Sequence, residues 1–248
     1  MWGDLHRWRG IVLAGAALVA TVWLAATNQL ILYIHPRYVV FTVVMAVLAL
    51  ALVVASFVLR PGHQHPEPQR TSQKLLFATA GVLGLAVALA MIIIPPATLT
   101  SATVAQRDIN GSGVGADLRS VDEAAEATDS AFAAFTVLDW ASLLRQTSDT
   151  AFYAGKPVDV TGFITEDPDD AANVFYVSRF VVTCCAVDAQ PVGVPVYLPG
   201  WKDSYSLDDW VQVTGQFSAN PSASSAQQIA LDPAQLTPVG EPAEPYLF

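Results

Sequence analysis

The chain has 248 residues and a formal net charge of −10, with 53% hydrophobic residues against 14% charged. That average conceals two halves: up to Ile94 six Lys/Arg face two acids, while beyond it the other six face twenty. So acidic a distal half repels phosphates, which argues against nucleic acid as a partner, and it is a poor match for an anionic lipid surface.

Three apolar runs open the chain. Residues 11–34 form the first, interrupted near its end by Thr27, Asn28 and Gln29. Residues 39–59 form the second, with only Thr42 and Ser56 as mild polar breaks, and 75–94 the third, without a charge. A helix rising about 1.5 Å per residue covers roughly 30 Å in twenty residues, the thickness of bilayer hydrocarbon, whereas buried helices of soluble proteins usually stop at about 10–14 apolar residues. The expectation is a membrane domain over 1–96 with three helices crossing the lipid bilayer. His6, Arg7, Trp8 and Arg9 before the first run also resemble a signal-peptide leader, but no clean cleavage pattern surrounds Ala25 and Ala26, so a retained span is expected.

Loop charges set the orientation. Arg7, Arg9, Arg60, Arg70 and Lys74 belong on the cytoplasmic side, against Arg37 alone in the first loop. The N-terminus is then cytoplasmic, and everything after Pro95 and Pro96 lies outside the cell membrane. The spans hold no interior Asp, Glu, Lys or Arg, and ion pathways normally carry such groups, so the chain is not read as the pore itself. Gly81, Gly84 and the Ala-rich faces of the first and third runs suit close packing with a partner helix. His63 and His65, one residue apart between the second and third runs, read as part of a turn-rich connector rather than a metal tract.

Residues 97–135 are rich in Ala, Ser, Thr, Gly and Asp and read as a flexible tether, with one short helix near 121–127. A small domain follows over 136–248. Asp139 is expected to cap a helix through Gln146 that docks Trp140, Leu143 and Leu144. From Gly155 the apolar period drops to two: Val158, Val160 and Ile164; then 174–183; then Val192, Val194, Val196 and Leu198; then Val211, Val213 and Phe217; and a short run at 228–231. Five short strands separated by turn residues predict a small all-β domain, a five-stranded OB-like barrel. The acidic turn 166–170 lacks EF-hand spacing and reads as solvated rather than as a calcium loop.

Both cysteines of the chain, Cys184 and Cys185, stand side by side with Asp188 three residues on. Three readings stay open. A vicinal disulfide suits an oxidising exterior, but adjacent Cα atoms sit about 3.8 Å apart, below the roughly 4.4–6.8 Å of ordinary disulfides, so the bond would be strained and easily reduced. Alternatively the thiolates, helped by Asp188, bind zinc or copper(I), provided the backbone turns at the pair, since neighbours on a strand point to opposite faces. Or the two are packed thiols, with Asp188 capping a turn and pairing with Arg179. Past His65 the sequence holds no histidine, and no acid, base and nucleophile set is legible, so no catalytic residue is assigned and the chain is not read as an enzyme.

Gly155, Lys156, Gly162, Phe163, Arg179, Phe180, Thr183, Cys184, Cys185, Ala186, Asp188, Ala189, Pro191, Trp210, Val211 and Gly215, together with the N-terminal spans, resemble the YcgQ-like family of bacterial membrane proteins. The resemblance implies a permease subunit of a two-component membrane system, partnered by a larger multi-span permease and linked to metal homeostasis. It also marks Arg179, Thr183 and Gln190 beside Cys184, Cys185 and Asp188 as candidate motif residues. The expected function is therefore a non-enzymatic accessory subunit of a membrane permease complex. The alternative is a stand-alone membrane-anchored thiol redox sensor or metal-binding protein.

Overall fold

Two units make up the chain, Met1–Ala97 and Thr98–Phe248, and each is described by itself. The structure is a computed structural model that describes residues 2–58, 86, 98–111 and 120–248. The third apolar run apart from Ala86, the His63/His65 loop and the Gly81/Gly84 face lie outside the described residues.

In the first unit, helix α1 spans Trp2–Ala26. It stops because Asn28 adopts the left-handed conformation (φ 58°). The Gln29 N–H reaches back to the Leu24 carbonyl at 2.8 Å and the Asn28 N–H to that of Ala25 at 3.1 Å, the paired bonds of a Schellman ending. The run expected to continue to residue 34 is thus broken at the polar step, and a single 3₁₀ turn, Leu30–Leu32, follows. Helix α2, Pro36–Val58, starts on a proline, whose missing N–H costs nothing in a first turn. The Arg37 N–H donates to Nδ1 of His35 at 3.0 Å. Within α2, Pro36–Ala55 has a mean hydropathy of 2.8 and is 6% buried, and among the described residues it is the one helix long and apolar enough to cross a membrane. The apolar part of α1, Ala14–Ala26, is shorter.

The second unit begins with a segment that lies along the sheet and carries a short helix, α3 (Ser101–Val104). Two more short helices, α4 (Val121–Ala125) and α5 (Asp129–Phe132), precede α6 (Val137–Gln146) and α7 (Thr150–Tyr153). Thus the described part of the stretch read as a tether is helical in three places, and Phe132 and Phe135 are buried in the core. Thr136, not Asp139, caps α6. The Asp139 N–H donates to the threonine hydroxyl at 3.3 Å, and the Asp139 carboxylate accepts from the Thr136 N–H at 2.8 Å, a reciprocal capping box. Trp140 and Leu143 on α6 are fully buried, the indole ring 5.7 Å from Phe132, 5.1 Å from Phe135 and 5.2 Å from Phe217.

The strands are β1 (Val158–Glu166), β2 (Val174–Val181), β3 (Gln190–Tyr197), β4 (Trp210–Ala219), β5 (Ile229–Pro238) and β6 (Tyr246–Leu247). They form a six-stranded sheet in the order β1-β4-β5-β3-β2-β6, with an additional β1–β2 pairing. On β1, β3 and β4 every second residue is a valine of the core: Val158, Val160, Val192, Val194, Val196, Val211 and Val213. β6 adds a strand beyond the five expected, because two residues carry no readable period; it pairs parallel to β2 through Phe180↔Tyr246 and Val181↔Leu247.

The return of the sheet on itself is uneven. β4 and β5 pair along their length, from Val211↔Pro238 to Ala219↔Ile229, whereas β3 and β5 meet at Val196↔Leu231 alone. β1 turns from one neighbour to the other, pairing β4 over Val158–Phe163 and β2 from Phe163 onward. Gly162 sits at that turn, where an added Cβ would stand 2.5 Å from the Ser178 carbonyl oxygen. A side chain is excluded there by the close approach of β2.

Candidate functional site

The candidate site is the connection between β2 and β3, residues 182–189. Val182 is held at its start by donating its N–H to the Leu247 carbonyl at 2.9 Å. Asp188 then organises the loop. Its Oδ1 accepts the Thr183 N–H at 3.2 Å, and its Oδ2 accepts those of Cys184 at 2.8 Å and Cys185 at 3.3 Å. The Asp188 N–H closes a turn onto the Cys185 carbonyl at 3.0 Å. Three consecutive N–H groups aimed at one carboxylate take the backbone out of the strand, and with it out of the alternation that would send the two sulfurs to opposite faces.

As a result the two Sγ atoms and a carboxylate oxygen of Asp188 all lie within 4.8 Å of one another. Both cysteines are free thiols; Cys184 is exposed and Cys185 half-buried. The Cys184 thiol is held above the ordinary cysteine range, by local desolvation first, then by the adjacent Cys185 and the negative Asp188. Val187 at the tip is 83% exposed, so the approach to the pair is open.

Of the other motif residues, Thr183 lies in the loop through its N–H, and Gln190 backs it by donating Nε2 to the Asp188 carbonyl at 3.4 Å. Arg179 is elsewhere. Instead of pairing with Asp188 it donates Nε to the Pro245 carbonyl at 2.8 Å, Nη2 to that of Glu244 at 2.6 Å and Nη1 to that of Thr161 at 3.3 Å. Its guanidinium lies 5.2 Å from the centre of the Trp210 ring, and burial lowers its pKa. Arg179 therefore fastens the C-terminal segment, and reaches the site only through β6, whose Leu247 bonds Val182.

Two residues of the site left no mark in the sequence. Arg107 donates Nη2 to the Val187 carbonyl at 3.1 Å. Asn110, itself left-handed (φ 57°), grips Gly193 on both sides, donating Nδ2 to its carbonyl at 2.8 Å and accepting its N–H at 2.9 Å. Both stand about eighty positions from the residues they hold, in a stretch read as tether.

The acidic turn 166–170 is not freely solvated. Asp167 is 1% exposed, its Oδ1 accepting the N–H groups of Asp169 at 2.8 Å and Asp170 at 3.0 Å and its Oδ2 the Ser225 hydroxyl at 2.8 Å. Asp170 accepts from the Ser222 hydroxyl at 2.5 Å and from Asn173 Nδ2 at 2.9 and 3.0 Å. With protein donors on these oxygens, the turn is a clamp on the β4–β5 loop. A separate groove of about 720 Å³, lined by Val104, Arg107, Thr165, Tyr176 and Leu207 among others, does not include the cysteines.

Comparison with curated proteins and with solved structures finds no match. Two family models do match: the DUF1980 N-terminal domain over residues 8–110 and the DUF1980 C-terminal domain over residues 125–248. With both of its domains present in order, the chain belongs to the DUF1980 family.

Proposed function

We propose that this chain is a non-enzymatic accessory subunit of a membrane permease complex, YcgQ-like in kind, whose OB-like domain holds a thiol site for a metal ion on the outer side of the membrane. Three helices would anchor it, with the N-terminus cytoplasmic. The observation that carries the reading is the loop itself: two free thiols and a carboxylate gathered within 4.8 Å at an exposed turn. Zinc and copper(I) are the ions whose ligand preferences such a set meets. The apolar exterior of α2, with Val40 73% and Leu52 72% exposed, suits lipid or a partner helix. Asp188, its carboxylate taken up by three N–H groups, is poorly placed to serve as a general base for either thiol. That favours binding over catalysis.

Affinity purification from native membranes tests the partnership. A multi-span permease recovered in stoichiometric amount is the expected result; recovery of the chain alone would favour a stand-alone thiol sensor or metal-binding protein. A thiol reagent that cannot cross bilayers should label Cys184 in intact cells. Labelling only after lysis would reverse the orientation.

A further inference from the structure

The proposed ion contact leaves its donor set open between a site of sulfur and oxygen and one of sulfur alone, and the loop's hydrogen bonds favour the second. A carboxylate offers about four lone-pair positions. Three of those on Asp188 are occupied by the N–H groups of Thr183, Cys184 and Cys185. These bonds are what turn the backbone so that both sulfurs reach one point. Oδ2, with two of these N–H groups, is full, and turning Oδ1 onto an ion would pull against the Thr183 bond that helps shape the site. The carboxylate thus works as the staple of the loop, and its negative charge lies beside the thiols.

What remains are two adjacent thiols. The nearby side chains of Ala186 and Val187 offer no donor atom, and Gln190 directs its Nε2 to the Asp188 carbonyl. Among the described residues, Cys184, Cys185 and Asp188 are the one group of three or more potential ligands gathered for an ion. Zinc takes four ligands in a tetrahedron, and a two-sulfur loop supplies half of that. A soft monovalent d¹⁰ ion is satisfied by two thiolates, and thiolates select it. The net charge of such a complex, one cation against two thiolates, stays negative and needs no further anionic ligand.

We infer that Cys184 and Cys185 form a two-thiolate site for a soft monovalent cation, copper(I) by class, in which Asp188 folds the loop without ligating. This rests on the ion-contact reading above and is independent of whether a permease accompanies the chain. On binding, each thiol gives its proton to solvent and the sulfur lone pairs form the two bonds to the ion; no electron is transferred.

The full-length protein, purified in detergent with a thiol-free reductant, is titrated with copper(I) against a chromophoric chelator, with silver(I) as a redox-inert stand-in, and with zinc. The expected result is one copper(I) or silver(I) per chain, with zinc bound at least a hundredfold more weakly. Cys184→Ser and Cys185→Ser each weaken copper(I) at least tenfold while unfolding as the parent does. X-ray absorption at the copper edge of the parent shows two sulfur neighbours and no oxygen or nitrogen shell. An oxygen or nitrogen shell at the bound copper, or zinc bound as tightly as copper(I), overturns the two-thiolate site but leaves an ion contact standing. No metal bound while both thiols titrate as free overturns the inference and the ion-contact reading together.

Discussion

Replacing Arg179 by alanine removes a fastening that the structure lets one weigh. Two of its hydrogen bonds are short and charge-assisted, 2.8 Å to Pro245 and 2.6 Å to Glu244, and a third to Thr161 is longer at 3.3 Å. A hydrogen bond from a charged donor contributes about 1.5–3 kcal/mol, and a guanidinium over an indole about 0.5–2 kcal/mol. Glu244 is exposed, so water replaces part of what is lost there, whereas Pro245 is buried. The expected cost is about 3 kcal/mol for Arg179→Ala and about half of that for Arg179→Lys, which keeps the charge but not the planar fork. Urea unfolding followed by tryptophan emission measures the first quantity. Amide hydrogen exchange measures the local one: β6 and the Val182 N–H, bonded to Leu247, should lose protection in the alanine variant. An Arg179→Ala protein within about 1 kcal/mol of the parent, with β6 still protected, would refute the assignment of Arg179 to the C-terminal segment.

Gly162→Ala should destabilise the sheet domain by about 3 kcal/mol, since the new methyl group meets the Ser178 carbonyl oxygen and overpacking of this kind costs about 1–3 kcal/mol or more; a thermal midpoint unchanged from the parent would contradict the close approach of β1 and β2. The bonds from Ser222 and Asn173 lower the pKa of Asp170 below its ordinary value of 3.8. Its contribution to stability is therefore fully present above the unfolded value and lost as pH falls through the lowered one, so the stability gap between parent and Asp170→Asn should close below about pH 4. A gap that stays constant down to about pH 2 speaks against the clamp. Alkylation of Cys184 should follow an apparent pKa above the ordinary 9.0 and move downward in Cys185→Ser, because one of the groups raising it is gone. A thiol already ionised at neutral pH is the contrary outcome.

What could be read beforehand tracks how local its cause is. β1 and β4 are legible because apolar and polar residues alternate within them, β3 because its valines recur at every second place, and β2 as a run of Val and aromatic residues. β5 was legible only at its apolar start, since Asp232, Pro233 and Gln235 break the pattern where it pairs with β4 across a bulge near Gly215. The helix at Trp140 was visible from its apolar face, yet its cap was placed three residues late, because Thr136 and Asp139 both belong to one reciprocal box. At the site, the cysteine pair and Asp188 announced themselves by proximity in sequence. The partner of Arg179 did not, because a guanidinium on a strand can reach any carbonyl the fold brings near, and here the chain end arrives 65 residues later. Phe132 and Phe135 were passed over because two aromatic residues scattered among alanines carry no period.

The segment 98–111 is tied to the sheet at its whole length: Leu99 donates its N–H to the Tyr246 hydroxyl, Ser101 bonds Asp208, Arg107 bonds Val187 and Asn110 grips Gly193. Yet the family model of the N-terminal domain reaches residue 110, and that of the C-terminal domain begins only at 125. A fragment cut by homology at residue 125 would leave the rear of the thiol turn uncovered and the Gly193 edge bare, inviting strand-to-strand sticking between copies. Whoever dissects this protein should place the scissors before Thr98, where the chain itself divides.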